Sequence, residues 1–190
     1  MRNAKQVYDF MLENFKELLK KKGVEFEIVE EQIRALKKIA LWYANDERFS
    51  GDLRKGILLR GTCGTGKSII STVIEETIKK GQLNNPMHIS ATRLQEIYQN
   101  NEEVEKEMLE NRLFVIIDDL GTESAKITIY GSVIYPFNSM FESRYKKGLT
   151  TIVNTNYTPD DIEKAYTIRI RDRFRETMNE IVLEFKSLRK

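Results

Sequence analysis

The sequence predicts an α/β fold, a five-stranded parallel sheet flanked by helices and built around a phosphate-binding loop. Three observations predict it. Residues 61–68 read G-T-C-G-T-G-K-S and satisfy the pattern G-x-x-x-x-G-K-[ST] at each fixed position. The loop has the required context, with an apolar run before it (residues 56–60, G-I-L-L-R) and helical periodicity after it. Further on, residues 113–119 read L-F-V-I-I-D-D, an apolar strand ending in acids. A buried parallel strand beside an anion site should look like this.

The spacing of the loop follows from its chemistry. Gly61, Gly64 and Gly66 let the backbone turn back so that successive N–H groups point at an anion. Thr62, Cys63 and Thr65 fill the variable positions of the same cradle. Lys67 is placed to reach β- and γ-phosphates, and the Ser68 hydroxyl to ligate Mg²⁺. The helix starting at Lys67 adds the positive end of its dipole. Its apolar positions, Ile69, Ile70, Val73, Ile74 and Ile78, recur at helical spacing with Glu75, Glu76, Lys79 and Lys80 between them. The alternative is a glycine-rich turn that binds nothing, which requires pattern and context both to be accidental.

Composition narrows the class. The 190 residues suffice for one α/β domain with a small appendage. Lys and Arg total 31 against 29 acids, so a net charge of +2 does not mark a general nucleic-acid binder. The single cysteine, Cys63, excludes an intramolecular disulfide and fits a reducing cytoplasm. The lone His88 falls in an expected strand without neighbours that suggest a metal site. With no secretory apolar core at the N-terminus and no run long enough to span a bilayer, a soluble cytoplasmic protein is expected.

Before the loop, Val7, Phe10, Met11, Phe15, Leu18 and Leu19 make an apolar stripe along a helix over residues 4–22, ending in Lys20-Lys21-Lys22 before Gly23. Such a helix fits either packing on the domain's own flank or docking to a partner protein. A second helix is expected over residues 29–45, with Ile33, Leu36, Ile39, Ala40 and Tyr43 on its buried face. By resemblance to P-loop ATPases of this design, residues 26–29 just before it are a candidate border of a nucleotide base. The organisation expected is a helical extension over residues 1–50 and a nucleotide-binding core over residues 51–190.

After the loop, a short strand is expected at residues 87–90, then a helix to about Tyr98 and an acidic helix within residues 100–111. In the D-D strand, Asp118 is placed to support Mg²⁺ and Asp119 to orient or deprotonate an attacking water. Residues 131–147 read as an amphipathic helix that Pro136 breaks early. Residues 150–154 are the next strand, with Thr155-Asn156 at its C-terminal end, where open α/β sheets bind ligands. Asn156 can position a water or sense a γ-phosphate there. Thr158-Pro159-Asp160-Asp161 starts a helix. Arg169, Arg171, Arg173 and Arg175, spaced by two, cannot share one helical face and so serve different environments. Residues 181–185 supply a last strand.

Phosphate loop, D-D strand, strand-end T-N and arginine box follow the motif order of AAA+ ATPases. "LFVIIDDLGTE" (113–123), "NSMFESRYKKGLTTIVNTN" (138–156), "RIRDRFRE" (169–176) and the ending "FKSLR" (185–189) resemble the DnaC-type helicase loaders and the similar IstB-type transposition helpers. The resemblance covers roughly two-thirds of the chain and is specific in combination. It implies a P-loop NTPase core whose five strands, counted in chain order, lie 5-1-4-3-2. It also implies ATP bound by residues 61–68, Mg²⁺ held by Ser68 and Asp118, Asn156 at the sensor position, and Arg173 as the finger that completes a neighbouring subunit's site. Asp119 falls where many AAA+ proteins carry Glu, and the shorter acid implies slow hydrolysis without a partner or an oligomer. The chain stops where an AAA+ helical lid would begin, so no lid is expected.

The function implied is an oligomeric ATPase that loads or remodels a replicative helicase or similar DNA-processing partner, with single-stranded DNA as a second ligand. The alternative is a nucleotide-dependent adaptor for a transposase or recombinase with little turnover. A small-molecule kinase leaves the order of Asn156 and Arg173 unexplained. GTP specificity usually needs N-K-x-D at a strand end, which N-T-N-Y is not.

Overall fold

A computed structural model of the chain describes residues 3–23, 29–81 and 85–184. Its elements run α1 (Ala4–Lys21), α2 (Glu30–Tyr43), β1 (Gly56–Gly61), α3 (Lys67–Lys80), β2 (Met87–Ser90), α4 (Ala91–Gln99), α5 (Glu103–Asn111) and β3 (Phe114–Leu120). There follow β4 (Ile127–Ile129), β5 (Ser132–Ile134), α6 (Pro136–Lys146), β6 (Thr150–Thr155), α7 (Pro159–Tyr166), α8 (Ile168–Thr177) and β7 (Met178–Leu183).

The main sheet has five strands in the order β2-β3-β6-β1-β7, all paired parallel. Counting only these strands in chain order and reading from the β7 edge, this is the expected 5-1-4-3-2. Registers such as Ile57 opposite Ile152 and Ile152 opposite Ile116 stack β-branched residues across its centre.

Successive strand residues face opposite sides, and each face has its own helical layer. Ile57, Leu59, Ile116, Ile152, Ile181 and Leu183 bury against α1, α2 and α3. Leu58, Val115, Ile117 and Val153 bury against α4, α6, α7 and α8. Helix α1 belongs to the first layer: Val7, Met11, Phe15 and Leu19 are all buried in its cluster. Its apolar stripe is therefore covered by the domain itself. No helix among the described residues is long and apolar enough to cross a membrane.

The glycine at the head of β1 is required by packing, since a Cβ on Gly56 would lie 2.0 Å from the Thr151 carbonyl oxygen. On the other face the fully buried Arg144 of α6 substitutes for apolar packing with hydrogen bonds. Its guanidinium donates to Leu109 O at 2.6 Å, Arg112 O at 2.8 Å, Thr150 O at 2.6 Å and Thr151 Oγ1 at 2.9 Å. Burial pulls its pKa down to about 10. It joins the end of α5 to the start of β6.

Several boundaries differ from expectation, each for a local reason. The helix expected over residues 131–147 starts only at Pro136, whose ring fits the first helical turn. Val133 and Ile134 instead pair in a two-stranded antiparallel ribbon with Ile127 and Thr128. Tyr130 and Gly131, at φ 48° and 80°, make its turn. The helix within residues 100–111 waits until Glu103 because Asn101 is left-handed, at φ 55°. Strand β3 does not stop at the acids but runs through them to Leu120, with an irregularity between Ile117 and Leu120. Strand β7 begins at Met178, three residues before the expected start. Residues 26–28 of the candidate base border and residues 185–189 of the ending "FKSLR" lie outside the described residues.

Candidate functional site

The loop between β1 and α3 opens on a cleft of about 290 Å³ at the C-terminal edge of the sheet. Cys63, Gly64, Gly66, Lys67, Ser68 and Ile69 line one side, and Asp119, Thr122 and Asn156 face them. Leu19 and Lys22, from the end of α1, complete the wall. Larger hollows exist, one of about 410 Å³ beneath α7 and α8, but neither the glycine loop nor Asp118 and Asp119 line it. Chemistry rather than volume selects the smaller cleft.

The loop is built for close approach. Gly64 and Gly66 take φ of 83° and 85°, open to glycine at no steric cost. A Cβ on Gly61 would sit 2.0 Å from the Leu183 carbonyl oxygen, so the loop leaves β1 in contact with β7. Thr65 Oγ1 donates to Thr62 O at 2.9 Å and braces the turn from within. Gln32 of α2, fully buried, braces it from behind by donating Nε2 to Thr65 O at 2.9 Å.

Lys67, the first residue of α3, is 5% exposed and turns its ammonium back over the loop. Nζ donates to Gly61 O and Thr62 O, both at 2.8 Å, and to Asn156 Oδ1 at 2.6 Å. The loop cation and the strand-end amide, 89 residues apart, thus meet in one cleft. A cation held above a cradle of glycine N–H groups, at the N-terminus of a 14-residue helix, fits a phosphate chain.

The acids are organised by a buried amide. Asn154, fully buried on β6, accepts from Asp119 N–H at 2.7 Å and donates Nδ2 to Ser71 Oγ at 2.9 Å. The same Nδ2 donates to Asp118 Oδ1. Asp118 is thereby linked to α3 at Ser71, one turn beyond Ser68. His88 Nε2 approaches Asp118 Oδ1 at 3.2 Å, and its Nδ1 meets Glu75 Oε2 at 2.7 Å. Burial opposes a charge on His88, but hydrogen bonds to Asp118 and Glu75 outweigh it and raise the pKa to about 9. The His88 bond in turn lowers the Glu75 carboxyl.

Asp119 takes a left-handed φ of 55° beside the phosphate loop. Its carbonyl accepts from Thr122 N–H at 3.1 Å and Thr122 Oγ1 at 2.9 Å. Residues that need a sparsely populated backbone well collect where a side chain must be aimed. Glu123, four residues into the same loop region, is turned away from the cleft: it bonds the Tyr166 hydroxyl and accepts from Gly121 N–H at 2.9 Å. No cluster of three or more His, Cys, Asp or Glu side chains among the described residues could cage a metal by itself. Ser68 and Asp118 suit Mg²⁺, which takes one or two protein oxygens and fills its shell with water and phosphate.

Arg173 does not line this cleft. Its guanidinium stacks 3.9 Å above the Tyr145 ring and donates Nη1 to Tyr145 Oη at 2.8 Å and to Glu176 Oε2 at 2.6 Å. The other arginines of α8 differ, as their spacing requires. Arg169 pairs with Glu142 and Arg171 with Glu163, whereas no side-chain partner holds Arg175 among the described residues.

The sequence reading missed Asn154, Gln32 and the role of His88. A signal existed for Asn154: period-two alternation puts it on the same face of β6 as the core residue Ile152, where an unpaired polar group is costly. No comparable signal marked Gln32 or His88.

No family model and no curated protein matches the chain. Solved structures do. The fold is similar to that of the DnaC helicase loader at 17% identity and a TM-score of 0.64, over 84% of this chain and 93% of that one. It is similar to DnaI at 19% identity and a TM-score of 0.68, over 92% and 93% of the two chains. A third match is DnaA from Aquifex aeolicus bound to AMPPCP, at 19% identity and a TM-score of 0.59. It covers 82% of this chain but 48% of that one, so the chain spans about half of the initiator's length. At these identities the likeness shows the fold alone, one shared with the DnaC helicase loader, DnaI and DnaA.

Proposed function

We propose that this protein binds ATP·Mg²⁺ in the cleft and hydrolyses it, acting as an ATP-gated oligomer on a DNA-processing partner and single-stranded DNA. The observation that carries the reading is the meeting of Lys67 and Asn156 over the glycine loop, with Asp119 lining the same cleft. Loop N–H groups and Lys67 bind the phosphates, Ser68 and Asp118 hold the metal, and Asn156 positions the attacking water. When bound there, the metal would supply charge neutralisation at the transferring phosphoryl group. Asp119 takes a proton from the water, while Asn154 holds the Asp118 carboxylate and the Asp119 backbone N–H. Arg173 is assigned to a neighbouring subunit's site. The partner class, a replicative helicase, rests on likeness to the DnaC helicase loader.

A nucleotide-dependent adaptor for a transposase or recombinase is the second reading, favoured by the short Asp119 carboxylate at the catalytic position. Both readings share the site, so nucleotide binding is tested first. Lys67→Ala should weaken ATP binding at least about tenfold, or roughly 1.4 kcal/mol, in a calorimetric titration. Unchanged affinity would refute the phosphate-loop assignment. Turnover of the parent with and without single-stranded DNA then separates ATPase from adaptor.

A further inference from the structure

The last turn of α1 reaches the same cleft, although nothing in the phosphate-loop pattern requires it. Phe15 and Leu19 are buried against the core, at 0% and 2% exposure, and anchor the helix end beside the loop. A Cβ on Gly66 would lie 3.8 Å from the Phe15 ring and 2.8 Å from Gln32 Nε2. The end of α1 is therefore positioned by packing rather than hanging over the site. Lys22 is its C-cap, with its own N–H bonded to the carbonyls of Leu18 and Leu19 at 3.2 and 3.0 Å. Its side chain is exposed and lines the cleft.

Charge makes this placement informative. A helix C-terminus carries about half a negative charge, which by itself repels an anion. Asp119 adds a carboxylate to the wall. A nucleoside triphosphate with one divalent ion brings about two more negative charges. Against these the lining holds two cations, Lys67 and Lys22. No carboxylate pairs with Lys22 among the described residues. Lys67 sits at the head of α3, and Lys22 enters from α1, outside the glycine cradle.

We propose that Lys22 is a second phosphate-facing cation, delivered by α1, that makes the site prefer a nucleoside triphosphate over a diphosphate. The proposal rests on the nucleotide-site reading above. It also gives α1 a part in the site beyond its packing: moving the helix end would change triphosphate affinity.

The test is calorimetric titration of the whole chain with ATP·Mg²⁺ and ADP·Mg²⁺. Lys22→Ala should weaken ATP roughly fivefold to tenfold and ADP less than about twofold, the loss of one partly screened charge. Lys22→Arg should stay near the parent. Lys20→Ala, which removes an exposed charge from the same turn away from the cleft, should change neither ligand. Lys22→Ala within twofold of the parent for ATP, in a chain whose Lys67→Ala variant loses binding, would overturn the proposal and leave the site reading standing. Equal losses for ATP and ADP would overturn it too. A Lys67→Ala variant that binds like the parent would overturn the site reading itself, and this inference with it.

Discussion

Asp118 Oδ1 receives the Asn154 amide and faces His88 Nε2 at 3.2 Å, so one carboxylate oxygen is held by two elements before any ligand arrives. The imidazole is the titrating partner. Its folded pKa, about 9, lies above the ordinary value near 6.5, so its contribution to stability is complete below pH 6.5 and disappears as pH rises through 9. The stabilisation is on the order of 3 kcal/mol in protein free of nucleotide and magnesium. At the acid end the sign reverses. The Glu75 carboxyl is lowered, so its share is present above its unfolded pKa near 4.5 and is lost as pH falls through the lower folded value. Thermal melts from pH 4 to 10 should therefore show a stability plateau that falls off above neutrality, and His88→Gln should flatten the alkaline fall. A variant whose melting profile keeps that fall would show that another group titrates. The residue scale also shows which site residues can be read from sequence. Lys67 and Ser68 belong to a local pattern, whereas the partners of Gln32 and Asn154 lie 33 to 83 residues away.

At the scale of elements, α1 has the greatest consequence for the site. Its sequence fits a flank helix and a docking helix equally well, because an apolar stripe records that a face is covered and not by what. Packing answers that question: Met11 and Phe15 have no exposure and share a cluster with Leu36, Ile39 and Ile74. Phe15→Ala should accordingly destabilise the domain by about 3–4 kcal/mol, as truncation of a buried aromatic does. Chemical denaturation measures it, and a loss below about 1 kcal/mol would mean that α1 is not part of the folding unit. Helices and strands with clean periodicity were legible in advance, including β1, α3 and β6. The Ile127–Ile134 ribbon was not, because Tyr130 occupies a turn position where Asn or Gly would have announced a hairpin. The sheet order was legible only through the motif order, since parallel neighbours are set by crossover packing and not by local pattern.

At the scale of the whole molecule, the cleft is lined by the glycine loop, Lys67, Lys22, the Asp119 carboxylate and the strand-end Asn156, and Arg173 is not among these residues. Arg173 rests on Tyr145 and pairs with Glu176, outside the lining of its own cleft. If Arg173 acts on a phosphoryl group as proposed, that group belongs to another subunit and Arg173 must exchange its Glu176 contact for one across an interface. The first consequence is that Arg173→Ala should bind ATP as the parent does but not hydrolyse it. The second is complementation. Mixed with Lys67→Ala, which keeps Arg173 but lacks the loop cation, the inactive Arg173→Ala chains should regain turnover, because one of the two mixed interfaces joins an intact loop to an intact finger. Activity against mixing ratio, measured while subunits exchange, should rise from near zero at either end to a maximum between. Arg175 is the control, being the arginine of α8 that is exposed and lacks a side-chain partner among the described residues. If Arg175→Ala rather than Arg173→Ala shows complementation, the finger is two residues further along α8 and the Tyr145–Arg173–Glu176 cluster is structural. If specific activity is independent of protein concentration and neither variant complements, catalysis is completed within one chain and the oligomeric reading falls.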